Sequence, residues 1–126
     1  MATLEINKDN FKDTVSKDGI VFLDWWATWC GPCRSFAPVF ESAATQHPDI
    51  VFGKIDTDAQ QELSSAFQIR SIPTLMVFRD GILLFEQPGA LPAAALEDLV
   101  KQVTGLDMAE VKKEVAARQA AEEAKT

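Results

Sequence analysis

The tetrapeptide Cys30-Gly31-Pro32-Cys33 lies only a few residues beyond Ile20-Val21-Phe22-Leu23-Asp24-Trp25-Trp26, a run that is apolar throughout except for Asp24. Such a run is the pattern of a strand buried on both faces. Pro32 suits the first turn of a helix, where its missing N–H and fixed φ cost nothing, and predicts a helix running from the cysteines through Phe36, Val39, Phe40 and Ala43 to about Gln46. A central strand that turns at once into a helix demands a sheet covered by helices, and the rest of the chain has to supply those layers.

It supplies them in alternation. Leu4 and Ile6 alternate with polar residues as in a short strand, and Phe11 and Val15, four apart, place a short helix over Asp9 to Val15. Pro38 is expected to kink the long helix and His47-Pro48 to stop it, because a proline disfavours helical backbone in the residue before it. Ile50 to Asp56 reads as a strand, and Leu63, Ala66 and Phe67 place a shorter helix within Asp58 to Phe67. Thr74 to Phe78, the turn signal Asp80-Gly81, and Ile82 to Phe85 predict an antiparallel hairpin. From Pro92 onward, Leu96, Leu99, Val100 and Val103 form the stripe of a helix that packs on a sheet. The expected fold class is therefore α/β, a central mixed five-stranded sheet flanked by about four helices with right-handed crossovers in its parallel part.

Gly105 closes that domain, residues 1–105, and residues 106–126 read as a C-terminal helical extension. Asp107 is placed to cap it, Glu110 to reach back to the cap, and Leu106 and Val111 to staple across it. Met108, Val111 and Val115 make only a narrow apolar stripe, and Ala120 to Thr126, alanine and polar or charged residues alone, are expected to fray.

A Cys-x-x-Cys step at a helix start puts the first sulfur where free backbone N–H groups and the helix dipole favour an anion, which makes Cys30 the candidate nucleophile. Cys33, one turn later, is near enough to close a disulfide and is shielded by its own turn, which suits the resolving role in thiol exchange. The competing readings are a metal site, a purely structural bridge, and two packed free thiols. Zinc needs about four ligands, and the chain offers two thiols and the distant His47. A bridge across so small a loop would restrict the unfolded chain little. His47 at a helix end beside Pro48 is explained by the dipole and the stop rather than by catalysis.

Charge and composition remove other classes. Twelve basic against nineteen acidic side chains give a net charge of −7, the wrong sign for nucleic acid or an anionic membrane surface. No apolar run approaches the length of a membrane span, and Met1-Ala2-Thr3-Leu4-Glu5 lacks the features of a secretory signal, so the cytoplasm is the expected compartment. Two cysteines in 126 residues do not make a disulfide scaffold. The isolated glycines form no phosphate-cradling loop.

The segment Trp26-Ala27-Thr28-Trp29-Cys30-Gly31-Pro32-Cys33 resembles the active site of the thioredoxin family, residue for residue over Trp-Cys-Gly-Pro-Cys. The resemblance spans roughly residues 3 to 104 and includes Asp24, Pro38, Lys54, Ile72-Pro73-Thr74, Gly81 and Gly89 in register. It implies the thioredoxin fold and a protein-disulfide reductase that attacks client disulfides through Cys30, resolves the mixed disulfide through Cys33, and is re-reduced by a thioredoxin reductase. No cofactor beyond the redox-active Cys30-Cys33 disulfide is implied, and no metal. Gly31-Pro32 carries no imidazole to stabilise a thiolate, so a reductant is expected rather than an oxidant.

Asp24 is costly to bury charged and should have a raised pKa; in the family the matching residue is the base for the resolving sulfur, and the matching lysine, here Lys54, approaches it. Pro73 matches a family cis-proline that exposes the backbone of Ile72 to client peptides. Trp29, Gly31, Pro32, Ile72, Gly89 and Ala90 would rim an apolar patch around Cys30, while Trp25 and Trp26 read as core, Trp25 standing where many thioredoxins carry Phe. The rival reading is a client- or partner-binding module with little redox turnover. The expected state is a monomer, with pairing through residues 106–126 as the alternative.

Overall fold

The computed structural model describes residues 2–125; Met1 and Thr126, the outermost residues of the two segments delimited above, lie outside the described residues. Five strands, β1 (Leu4–Glu5), β2 (Ile20–Trp26), β3 (Val51–Asp56), β4 (Thr74–Arg79) and β5 (Ile82–Pro88), form one sheet in the order β1-β3-β2-β4-β5. β1 and β2 run parallel to β3, and β4 runs antiparallel to both β2 and β5. The helices are α1 (Phe11–Ser16), α2 (Gly31–Gln46), α3 (Gln61–Ala66), α4 (Ala93–Thr104) and α5 (Met108–Ala124).

The alternation of side chains along a strand sorts the core into two layers. Phe22, Phe52, Leu75 and Val77 face α2 and α4 and pack with Phe36, Phe40, Leu96, Val100 and Val103. Val21, Leu23, Trp25, Ile55, Met76 and Phe78 face the other way, against Phe11 and Val15 of α1 and the half-buried Leu63 and Phe67 at α3. β2 is thus apolar on both faces because helices cover both. Gly53 leaves room for the second layer: a Cβ there would sit 2.7 Å from Ile6 Cγ1 and 3.0 Å from Leu23 Cδ2. Gly53→Ala is expected to cost about 1–3 kcal/mol through overpacking, read as a lower urea midpoint at unchanged slope.

Three local features refine the reading of the sequence. α3 begins at Gln61 rather than Asp58, because the Asp56 carboxylate accepts from the N–H groups of Asp58 and Ala59 and holds those residues in a turn. The hairpin turn has φ of 54° at Asp80 and 81° at Gly81, both in the left-handed region that its tight two-residue loop requires. Pro38 sits inside α2, where its missing N–H leaves one carbonyl without its helical partner.

At the C-terminal end, the Asp107 side chain accepts from the N–H groups of Ala109 and Glu110 and caps α5. Glu110 returns no bond to Asp107, so half of the expected capping box forms. Helical backbone continues through Ala124, past Ala120 where the composition predicts fraying, carried by residues of high helix propensity. Arg79 Nη1 donates to the carbonyls of Val103, Thr104 and Leu106 at 2.7, 3.3 and 3.4 Å, gathering the end of α4 and the start of the linker. Asp80 accepts from the Gly19 N–H at 2.8 Å and lies 3.5 Å from Lys112 Nζ. The Gly19 bond, foremost, holds the Asp80 carboxyl below the usual range, so it stays ionised.

Candidate active site

β2 delivers the chain to the site and α2 carries it away. Trp26 ends the strand, its carbonyl accepts from both N–H and Oγ1 of Thr57, and Ala27 to Trp29 then turn into Cys30, the N-cap of α2. Cys30 and Cys33 are joined as a disulfide across a Cα separation of 5.2 Å. The Cys33 N–H points at Cys30 Sγ at 3.2 Å, and the Arg34 N–H donates to the Cys30 carbonyl. The first sulfur therefore lies on the Cys33 N–H at the positive end of a sixteen-residue helix, a setting that stabilises a thiolate once the bridge is reduced. Both sulfur-bearing residues are largely covered, at 5% and 3% exposure, in a small cluster with Ala27, Trp26 and Ile72.

Opposite the bridge, the Ile72–Pro73 peptide bond is cis. The Ile72 carbonyl oxygen lies 3.6 Å from Cys30 Sγ, and the Gly89 N–H donates to the Pro73 carbonyl at 2.8 Å, which ties the end of the hairpin to this side of the site. Thr74 Oγ1 donates to the Ser71 carbonyl and closes the turn before β4. Gly31, Pro32, Gly89 and Ala90 are exposed, Ile72 is half-buried, and Trp29 is the most exposed large apolar side chain, at 67%.

Trp29 does not hang free, since its indole N–H donates to Asp58 Oδ2 at 2.9 Å. Nothing in the sequence singles out this carboxylate, or Arg34, whose Nη1 donates to the Thr28 carbonyl at 2.9 Å. Neither pairing leaves a local signal, because one spans 29 positions and the other joins a side chain to a backbone carbonyl.

Asp24 lies beneath. It shares the α2-facing side of β2 with Phe22 and Trp26 by alternation, is fully buried, and neither carboxylate oxygen has a hydrogen-bond partner. Burial pushes its pKa up to about 7, and the Lys54 ammonium pulls the other way. Lys54 is its register partner on β3, and Lys54 Nζ lies 5.0 Å over the Trp26 ring, outside ion-pair range of Asp24. His47, by contrast, lies at the far end of α2, where Nε2 meets Glu97 of α4 at 3.0 Å. Among the described residues no group of three or more His, Cys, Asp or Glu side chains is placed to hold a metal.

A bridged cysteine pair at a helix N-terminus, seated on a buried strand and facing a cis-proline, defines a thiol–disulfide oxidoreductase. The Thioredoxin family profile matches residues 2–102, and the chain belongs to the thioredoxin family. It is 56% identical over 119 residues to a Streptomyces coelicolor protein designated thioredoxin 2, spanning 94% of this chain and 89% of that one. It is 42% identical over 97 residues to a thioredoxin of Mycobacterium bovis, with 75% of this chain and 84% of the other covered. A solved thioredoxin variant from Halobacterium salinarum superposes with a TM-score of 0.76 at 38% identity, covering 82% of this chain and 92% of that one. The chain is thus a protein-disulfide reductase with the thioredoxin fold, and the rival reading as a binding module without redox turnover is not favoured.

Proposed function

We propose that Cys30 is the attacking and Cys33 the resolving sulfur in the reduction of disulfides in client proteins. The Cys30 thiolate attacks one sulfur of a client disulfide, that S–S bond breaks, and the expelled client thiolate takes up a proton. Asp24, poised near neutral pH by its burial, accepts the Cys33 proton. The Cys33 thiolate then attacks Cys30 Sγ, re-forming the Cys30–Cys33 bond and releasing the second client thiolate. Two electrons pass from the dithiol to the client, and a thioredoxin reductase returns them. Lys54 moderates the Asp24 charge, and the Ile72–Pro73 backbone offers strand-like pairing to an extended client segment.

No cofactor or metal takes part in this scheme. It assigns a role in electron transfer and redox homeostasis to a cytoplasmic monomer; no helix among the described residues is long and apolar enough to cross a membrane. Residues 1–105 are the redox domain and 106–126 an appended segment that carries α5. The observation that carries the reading is the position of Cys30 as N-cap of α2, with the Cys33 N–H directed at its sulfur. Limiting alkylation of the reduced protein at neutral pH, mapped by mass spectrometry, tests the order of the two sulfurs: Cys30 is labelled first, and earlier labelling of Cys33 would reverse the assignment.

Trp29 together with Gly31, Pro32, Gly89 and Ala90 forms the contact rim. Removing an exposed aromatic contact costs on the order of 1–2 kcal/mol, so Trp29→Ala should lower kcat/KM for a protein disulfide roughly 5- to 30-fold, mostly through KM. Reaction with a small aromatic disulfide should change far less. Equal losses on both substrates would place Trp29 in the chemistry rather than on the rim.

A further inference from the structure

The loop that leads into Cys30 is held by opposite charges from two sides. Asp58, in the turn before α3, accepts the Trp29 indole N–H at 2.9 Å. Arg34, in the first turns of α2, donates from Nη1 to the Thr28 carbonyl at 2.9 Å, and its backbone N–H reaches the Cys30 carbonyl at 3.2 Å. Its other terminal nitrogen lies near Gly31, where a Cβ would meet Nη2 at 3.9 Å, an ordinary contact. The guanidinium thus spans the turn from Thr28 to Gly31, with Cys30 between. The Thr28 bond uses one N–H of the guanidinium fork and leaves the others. Arg34 is exposed, and no carboxylate among the described residues lies within ion-pair range of it, although the chain carries a net charge of −7.

We propose that Arg34 is a specificity-determining residue: its guanidinium takes a carboxylate beside the client disulfide, so clients with Asp or Glu flanking the reactive cysteine are reduced in preference to those with Lys or Arg there. The assignment rests on Cys30 as the attacking sulfur, because attack at Cys30 brings the client disulfide to the turn that Arg34 spans. A planar fork matches a carboxylate with two parallel bonds. The Thr28 bond already restrains the side chain, so less freedom is lost when a client docks. The long-range field of so acidic a chain works against acidic clients, and a preference for them has to come from a short-range contact at the nucleophile. The rim is polarised besides: a client carboxylate is received at Arg34 and turned away at Asp58. Arg70, exposed two residues before Ile72, is the other arginine near the cis-proline, and no side-chain hydrogen bond or ion pair among the described residues fixes its direction.

The test uses the full chain, reduced beforehand, in single turnovers with three disulfide-linked peptides that differ only in carrying Glu, Gln or Lys beside the cysteine. Wild type is compared with Arg34→Gln, which keeps a donor for the Thr28 carbonyl but no charge, with Arg34→Glu, and with Arg70→Gln. Exposed charge contacts are individually modest, so the ratio of the Glu-peptide rate to the Gln-peptide rate should fall about 3-fold in Arg34→Gln and about 10-fold in Arg34→Glu. The Lys peptide should gain on the Gln peptide in the same variants. Salt at about 0.5 M should collapse the wild-type ratio, and Arg70→Gln should move it less than Arg34→Gln does. A ratio that ignores both Arg34 variants, or follows Arg70 as strongly, overturns the assignment. An equal loss on all three peptides in Arg34→Gln overturns it too, leaving Arg34 as a clasp for the loop. Peptide reduction that persists in Cys30→Ser would instead overturn the attacking-sulfur reading beneath it, whatever the ratios.

Discussion

Replacing Cys30 by serine should reduce insulin-disulfide reduction to the rate of dithiothreitol alone, while Cys33→Ser should stall after one attack with the client held as a mixed disulfide. The two outcomes differ because the sulfurs do different work. A serine hydroxyl at the N-cap still accepts the Cys33 N–H, so α2 keeps its start, yet a hydroxyl does not open a disulfide at neutral pH. With Cys33 absent, attack proceeds and nothing remains to expel the client. A gel without reductant should show the Cys33→Ser adduct and none for Cys30→Ser. Adducts formed only by Cys30→Ser would exchange the two roles.

Asp24→Asn should make the protein more stable above neutral pH and a slower reductase. The carboxyl titrates at about 7 in the folded chain, well above its ordinary value, so the folded state keeps a proton that the unfolded chain has already lost. Stability contributed by this group is complete below about pH 4, declines as pH climbs towards 7, and is lost above it, a fall of about 4 kcal/mol. Asparagine removes that slope but leaves a buried amide costing about 1–2 kcal/mol. At pH 8 the variant should therefore gain about 2 kcal/mol, or roughly 8 °C in Tm, and below about pH 4, where the carboxyl is protonated in both states, it should instead be less stable by about 2 kcal/mol. Release of client from the mixed disulfide should slow on the order of 10²-fold, with the initial attack unchanged. A pH-independent stability difference would contradict the buried carboxyl, and equal release rates would remove Asp24 from proton transfer.

What could be read from the chain was written in contiguous stretches. The apolar run of β2, the stripe of α4 and the Asp80-Gly81 turn each carry their structure within a few residues, and Cys30-Gly31-Pro32-Cys33 carries its chemistry in the same way. The coupling of Lys54 to Asp24 depends on strand register across 30 positions, which only the assembled sheet fixes. The start of α3 was masked because that helix buries no residue and its entry is set by the Asp56 turn. The β-bulge at Val77/Phe78 and the seating of α5 left no trace in periodicity. The linker before α5 is held through an arginine to backbone carbonyls and α5 itself through one lysine to a turn aspartate, pairings that any charged surface offers in abundance.

β2 has a neighbouring strand on each side and helices on both faces, and the cysteines hang from its end. Elements so enclosed open only with the whole molecule, while peripheral ones such as α3 and α5 open locally at far smaller free energy. The amides of β2 should be the slowest to exchange with solvent and those of α5 among the fastest. The redox centre is thereby fastened to the last part of the molecule to melt, so fraying of the periphery under heat or denaturant leaves the reactive pair in place until global unfolding.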